Sequence, residues 1–241
     1  VAGGCRPRPA GRGDVDRGAV TELVPDPEMV AIVAARAERI RSRIRELTDR
    51  HVTLVAVTKG HPPEIAAAAL AAGCVDLGES YAQEMVPKAA GLADAPVPPR
   101  WHFIGRLQSN KVRAVAGSVH LWHTIDRASL AAEVAKRAPG AAVLVQLDLA
   151  GLPGRGGCSP QEAPELVARC VALGLDVRGL MGVGAPGGPE DARPGFRLLD
   201  RMAADLGLAE RSMGMSGDLV TAVEDGSTIV RIGTALVGPR S

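Results

Sequence analysis

Between residues 52 and 232 the hydrophobic positions switch repeatedly between a spacing of two and a spacing near 3.6. The first spacing belongs to strands of a buried sheet, the second to helices that lay one face on a core. Strand-like runs fall near 52–58, 75–79, 101–104, 119–125, 143–149, 177–183, 211–215 and 228–232. Helix-like stretches lie between them near 63–72, 80–90, 107–116, 127–138, 160–173, 194–206 and 218–225. Upstream, Val33, Ala37, Ile40, Ile44 and Leu47 mark one face of a further helix, opened by Asp26, Pro27 and Glu28 as cap, first-turn proline and first-turn acid. The arginines at 36, 39, 41, 43 and 45 are interleaved with acids and read as its solvated face.

The punctuation agrees. Pro63 opens a helix that stops at Gly73, and Ser159 to Glu162 form a capping box on a helix that stops at Gly174. Ser216 can cap the short helix that stops at Gly226. Strands separated by helices make a parallel sheet with right-handed crossovers. Eight such units close into a single (β/α)8 TIM-type barrel of the α/β class, with an extra N-terminal helix. A doubly wound open sheet is the alternative, but no G-x-G-x-x-G follows the first strand. The barrel is expected over residues 26–241. Residues 1–25, rich in Gly, Pro and Arg with no hydrophobic period, read as a disordered extension or a mis-called start.

Composition narrows the function. Hydrophobic residues make up 46% of the 241 but aromatics only 2%, so the core must be built from Ala, Val, Leu and Ile. Lys and Arg (28) nearly balance Asp and Glu (27), so no global field points to nucleic acid or a membrane surface. Cysteines 5, 74, 158 and 170 form no CxxC and no disulfide spacing, which fits a reducing compartment. The N-terminus has no apolar signal region, and the run 65–75 is too short to span a bilayer. A cytoplasmic protein is expected, with no nucleic-acid or membrane partner.

The chemistry begins at "TLVAVTKGHPP", residues 53–63. Alternation puts Thr53, Val55, Val57 and Lys59 on one face, so the lysine follows two valines inward. A buried ammonium is costly unless it is paired, neutral or chemically used. The plain alternative is a strand-end lysine that reaches back to water. In "STIVRIGTA", residues 227–235, Ile229, Arg231 and Gly233 share a face. Strands one and eight become neighbours when a barrel closes, so Lys59 and Arg231 are expected in one mouth. There a second cation would push the lysine towards its neutral, nucleophilic amine. Gly233, Thr234 and the glycines and serines of "SMGMSGD", residues 212–218, supply a phosphate cradle. The set describes pyridoxal 5′-phosphate (PLP): an aldehyde for Lys59, a ring nitrogen for Arg231, and a phosphate for the last two loops.

The motifs "LVAVTK", "DLGESYAQEMVPKA", "WHFIGRLQSNKV", "TIDR", "RSMGMSGD" and "GSTIVRIGTALVG" make the chain resemble the pyridoxal phosphate homeostasis proteins, whose fold is similar to the N-terminal barrel of alanine racemase. The match runs from about residue 28 to 240. The resemblance implies PLP held as a Schiff base on Lys59, with Arg231 at the pyridine nitrogen. It places Ser212, Gly233 and Thr234, with Ser216 as a weaker inclusion, at the phosphate. The chain departs from that pattern at Ser80, where the family usually has asparagine. It departs again in "LAGLPGRGGCSP", which replaces a polar, lysine-containing loop, and at Gly60-His61.

Arginine at the ring nitrogen donates rather than protonates it, which leaves the ring a weak electron sink. The expected function is PLP homeostasis: holding PLP and buffering or delivering it to apo PLP-dependent enzymes. No robust turnover and no catalytic residues are expected. The alternative is a low-activity PLP-dependent amino-acid racemase, which wants a second base from another domain. None is expected here, and a lone barrel points to a monomer. An aldolase-type use of Lys59 would want an acid beside it, and strand one offers none. The one tyrosine, Tyr81, reads as a packing or capping residue, and His102 as an inward supporting side chain. His120 and His123, three apart on a strand, take opposite faces, and no metal site is expected.

Overall fold

The computed structural model describes residues 23–151 and 156–240. Eight parallel strands close into a barrel in chain order: β1 (Thr53–Val57), β2 (Asp76–Glu79), β3 (Arg100–Phe103), β4 (Val119–Ile125), β5 (Ala142–Leu147), β6 (Asp176–Gly182), β7 (Glu210–Ser212) and β8 (Ile229–Ile232). Around it run α1 (Pro27–Leu47), α2 (Pro63–Ala71), α3 (Ala82–Gly91), α4 (Val112–Val115), α5 (Ala128–Arg137), α6 (Ala163–Ala172), α7 (Pro189–Asp205), α8 (Leu219–Glu224) and α9 (Thr234–Val237). The expected (β/α)8 barrel with an added N-terminal helix is the observed fold. None of the described helices is long and apolar enough to cross a membrane.

Two apolar layers hold it together. Outward-facing residues of the strands, such as Leu54, Ala56, Val230 and Ile232, pack with the helices in one large cluster. A smaller cluster of Val55, Leu121, Ala142, Leu144, Met181 and Ile229 fills the barrel interior. The period-two reading of β1 and β8 therefore holds: Val55 and Ile229 point in, and their chain neighbours point out. With few aromatics, close approach is achieved by small side chains. The buried Ala66, Ala67, Ala68 and Ala69 let α2 lie tightly against α1 and the sheet.

Several boundaries differ from expectation, each for a local reason. Helix α7 begins at Pro189, not near 194, because Asp191 accepts from the Gly188 N–H at 2.7 Å and Pro194 is tolerated inside. The stretch 107–116 divides into a 3-10 turn, Ser109–Lys111, and the single turn of α4. The Ser159–Glu162 box forms, with Glu162 N–H on Ser159 Oγ and Ser159 N–H on Glu162 Oε2, but it closes a turn before α6. Strand β7 ends at Ser212 rather than 215, because Gly214 takes φ +96° and leads the chain out of the sheet. The expectation for residues 1–25 lies outside the described residues up to 22. Leu23 packs against the core beside Gly91.

Candidate cofactor site

The C-terminal ends of β1, β7 and β8 build one side of the barrel mouth. Lys59 lies two residues past β1 and is half-buried. Its flanks are pinned. Thr58 is wholly buried and donates from Oγ1 to Glu79 Oε1 at 2.7 Å, while the Gly60 N–H donates to Glu84 Oε2 at 2.7 Å. Gly60 can make this turn because its φ is +72°. Burial holds the Lys59 amine below the usual lysine value; Arg240 and Arg231 add to that, against Glu79 and Glu84.

Behind the mouth, between β2 and α3, sits a buried ion pair that sequence reasoning missed. Lys88 Nζ lies 2.6 Å from Glu79 Oε1 and donates to Thr58 O at 2.8 Å. Burial raises the Glu79 carboxyl, although Lys88 and Thr58 hydrogen-bond to it. The signal was available: Lys88 follows Ala82 and Met85 at helical spacing, and all three are buried.

Arg231 points into the barrel from β8 and is 4% exposed. Nη1 donates to Ser212 Oγ at 2.6 Å and Nη2 to Gly182 O at 2.9 Å. Burial lowers it to about 10, which leaves it cationic at neutral pH. Ser212 is wholly buried, and its hydroxyl meets Arg231 on one side and His123 Nδ1, at 2.9 Å, on the other. In this arrangement the Ser212 hydroxyl oxygen accepts from Arg231 and lies beside His123.

The loops after β7 and β8 meet. Ser216 does not cap α8, whose N-cap position is Asp218; instead Ser216 Oγ accepts from the Ala235 N–H at 3.4 Å. That contact brings Ser216 to Gly233 and Thr234, which open α9. At Gly233 a Cβ would sit in ordinary contact with Val57, at 3.6 Å. The opposite side of the mouth, at the ends of β2, β3 and β4, is a cavity of about 660 Å³ lined by Ser80, Tyr81, Phe103, Arg106, Lys111 and Asp126 among others. Tyr81 is half exposed at the start of α3.

Two sets of observations are compatible with a polar ligand at the mouth. Among the described residues, Glu79 Oε2, Ser80 Oγ and Thr124 Oγ1 are buried polar atoms without a partner near the strand ends. Each such atom costs about 1–3 kcal/mol, a cost that an incoming polar group can relieve. The mouth also gathers the depressed Lys59 amine and the buried Arg231 cation. His102 points inward as read, but its partners Asp76 and His123 were not anticipated. His102 Nδ1 lies 2.8 Å from His123 Nε2, and His102 Nε2 lies 2.9 Å from Asp76 Oδ1. His120, which alternation places away from His123, brings its ring to 6.0 Å from that of His102 at a register shift in the β3–β4 ladder.

The sequence matches the family described as alanine racemase, N-terminal domain, over residues 34–241. It is 37% identical over 225 residues to the pyridoxal phosphate homeostasis protein of Pseudomonas aeruginosa, covering 88% of this chain and 97% of that protein. The structure is similar to PipY of Synechococcus elongatus, solved with PLP bound, with a TM-score of 0.76 and 32% identity over 86% of this chain and 100% of the other. An alanine racemase of Clostridium difficile shares the fold, with a TM-score of 0.66 and 14% identity over 87% of this chain and 56% of the racemase. The chain belongs to the alanine racemase N-terminal domain family and, within it, to the pyridoxal phosphate homeostasis proteins.

Proposed function

We propose that this protein binds pyridoxal 5′-phosphate at the barrel mouth, covalently through Lys59, and buffers or delivers it to apo PLP-dependent enzymes. The observation that carries the reading is the pairing of a depressed Lys59 amine with the buried Arg231 cation in one mouth. Lys59 is the nucleophile for the aldehyde. Arg231 meets the ring nitrogen as a donor. Gly233, Thr234 and Ser216 hold the phosphate, with Ser212 as the floor beneath them. The bound group supplies a reactive aldehyde on an electron-drawing ring. Facing an arginine, that ring draws electrons weakly, which favours a carrier over a racemase.

The test is the absorption spectrum of the purified protein before and after borohydride, beside Lys59→Ala. A visible band that borohydride bleaches, and that the variant lacks, supports covalent PLP on Lys59. No band after PLP is added overturns it. Transfer to an apo-enzyme without turnover of L-alanine or L-serine supports delivery, and steady formation of the D-amino acid supports the racemase instead.

A further inference from the structure

A file of polar side chains crosses the barrel interior from the N-terminal ends of the strands to the mouth. Arg100 and Asp76 start it at the first residues of β3 and β2, with Arg100 Nη2 donating to Asp76 Oδ2 at 2.6 Å. Asp76 Oδ1 meets His102 Nε2 at 2.9 Å, His102 Nδ1 meets His123 Nε2 at 2.8 Å, and His123 Nδ1 meets Ser212 Oγ at 2.9 Å. Ser212 Oγ then accepts from Arg231 Nη1 at 2.6 Å. His102, His123, Ser212 and Arg231 are all buried.

One direction for every link follows from the two ends when each histidine carries a single proton. An ionised Asp76 can only accept, so His102 Nε2 carries a proton, and with a single proton on that ring its Nδ1 is bare. His123 must then donate from Nε2, which leaves its own Nδ1 bare. The Ser212 proton goes to that nitrogen, and its oxygen lone pairs turn to Arg231. Each dipole thus points its positive end towards the Asp76 carboxylate and its negative end towards the Arg231 guanidinium. Aligned links of this kind strengthen one another in a low-dielectric interior. Burial, with His102 and Arg231 nearby, holds His123 far below the usual histidine value, in keeping with a neutral ring. Burial raises the Asp76 carboxyl, but hydrogen bonds from His102 and Arg100 outweigh it and keep the group below its usual value.

We infer that Asp76, His102 and His123 are positioning residues for Arg231. Ser212 and Arg231 follow them in the file towards the mouth. The three lock the Ser212 oxygen as an acceptor aimed at the guanidinium, and so set where the guanidinium meets the ring. The inference rests on the proposed PLP site and goes beyond it by assigning a task to side chains deep in the barrel.

The first experiment reads the protons directly, by 15N NMR of the histidine-labelled protein without cofactor. The expected result is a proton on Nε2 and none on Nδ1 in both His102 and His123; a proton on Nδ1 of either ring overturns the inference. The second experiment links the relay to the cofactor. His123→Leu is expected to weaken PLP binding about tenfold and to shift the visible band of the loaded protein. His123→Gln can accept from Ser212 and donate to His102, and is expected to restore most of both. If His123→Leu does not fold, Ser212→Ala is expected to give the same loss. A folded His123→Leu with unchanged PLP affinity and an unchanged band overturns the inference. No visible band in the wild-type protein removes the cofactor and the inference with it. That failure is separable, because the ring protons are read in free protein.

Discussion

Val55 of β1 stands directly opposite Arg231 of β8 across the seam that closes the barrel. Lys59 follows on the face of Val55, so the amine and the guanidinium reach the same mouth from adjacent strands. Arg231 thereby adds to the lowering of the lysine, after burial and Arg240.

The first prediction concerns that amine. Its titration should lie below the ordinary 10.5, chiefly through burial and then through Arg240 and Arg231. The rate of PLP capture, followed by absorbance against pH, should therefore rise with a midpoint below that value. Arg240→Gln removes a like charge, favours the protonated form and moves the midpoint up. A midpoint at or above the ordinary value would show that the mouth does not tune the lysine.

Arg231→Lys tests the fork. A lysine cannot reach Gly182 O and Ser212 Oγ together as the guanidinium does. Leaving one buried acceptor unpaired should cost about 1–3 kcal/mol. In a chain of this size that lowers Tm by about 2–4 °C per kcal/mol. A thermal melt of cofactor-free protein checks it, and an unchanged Tm refutes the count.

Lys88→Met should be the more damaging change, because it strands Glu79. Breaking a buried pair in this way costs about 3–5 kcal/mol. The pH dependence has a definite sign. Without Lys88 the folded carboxyl rises further above its unfolded value, so the cost is absent below the unfolded pKa of about 4.3 and grows as pH rises. Urea unfolding at about pH 5 and about pH 8 should show the larger loss at the higher pH. Adding Glu79→Gln should recover part of it.

Gly214→Ala and Gly217→Ala make a matched pair. Gly214 has φ +96°, and a Cβ there would lie 2.5 Å from the Ala222 Cβ. At Gly217 a Cβ would meet nothing within 4 Å. The first variant should lose about 1–3 kcal/mol, and the second should stay within about 0.5 kcal/mol of the parent. Equal melts for the two would show that the turn after β7 is not strained by a side chain.

Much of this molecule was legible in its sequence because its strands keep their period. Alternation placed Val55, Lys59, Ile229 and Arg231 on inward faces, and the β1–β8 ladder runs without a shift. The relay was harder to read, because it depends on how high each side chain sits in the barrel. The β3–β4 ladder shifts between Trp101 and His102, which alternation cannot show. A usable sign was still present: Asp76 alternates with Gly78, and His123 with Leu121, so both are polar residues at interior positions. Ser216 failed as a cap because its neighbour in space, Ala235, lies far along the chain. Lys88 drew no reading, although its helical spacing already put it with Met85.

The seam between β1 and β8 also sets when the site can exist. A chain made at about 5–20 residues per second exposes Lys59 to the cell well before β8 leaves the ribosome. Until β8 pairs with β1, that lysine has neither the wall nor the buried arginine beside it that depress its titration. It is then an ordinary, mostly protonated side chain, with only a small fraction of the free amine that attacks an aldehyde. On the proposed reading, Lys59 therefore gains much of its reactivity with the closure of the barrel.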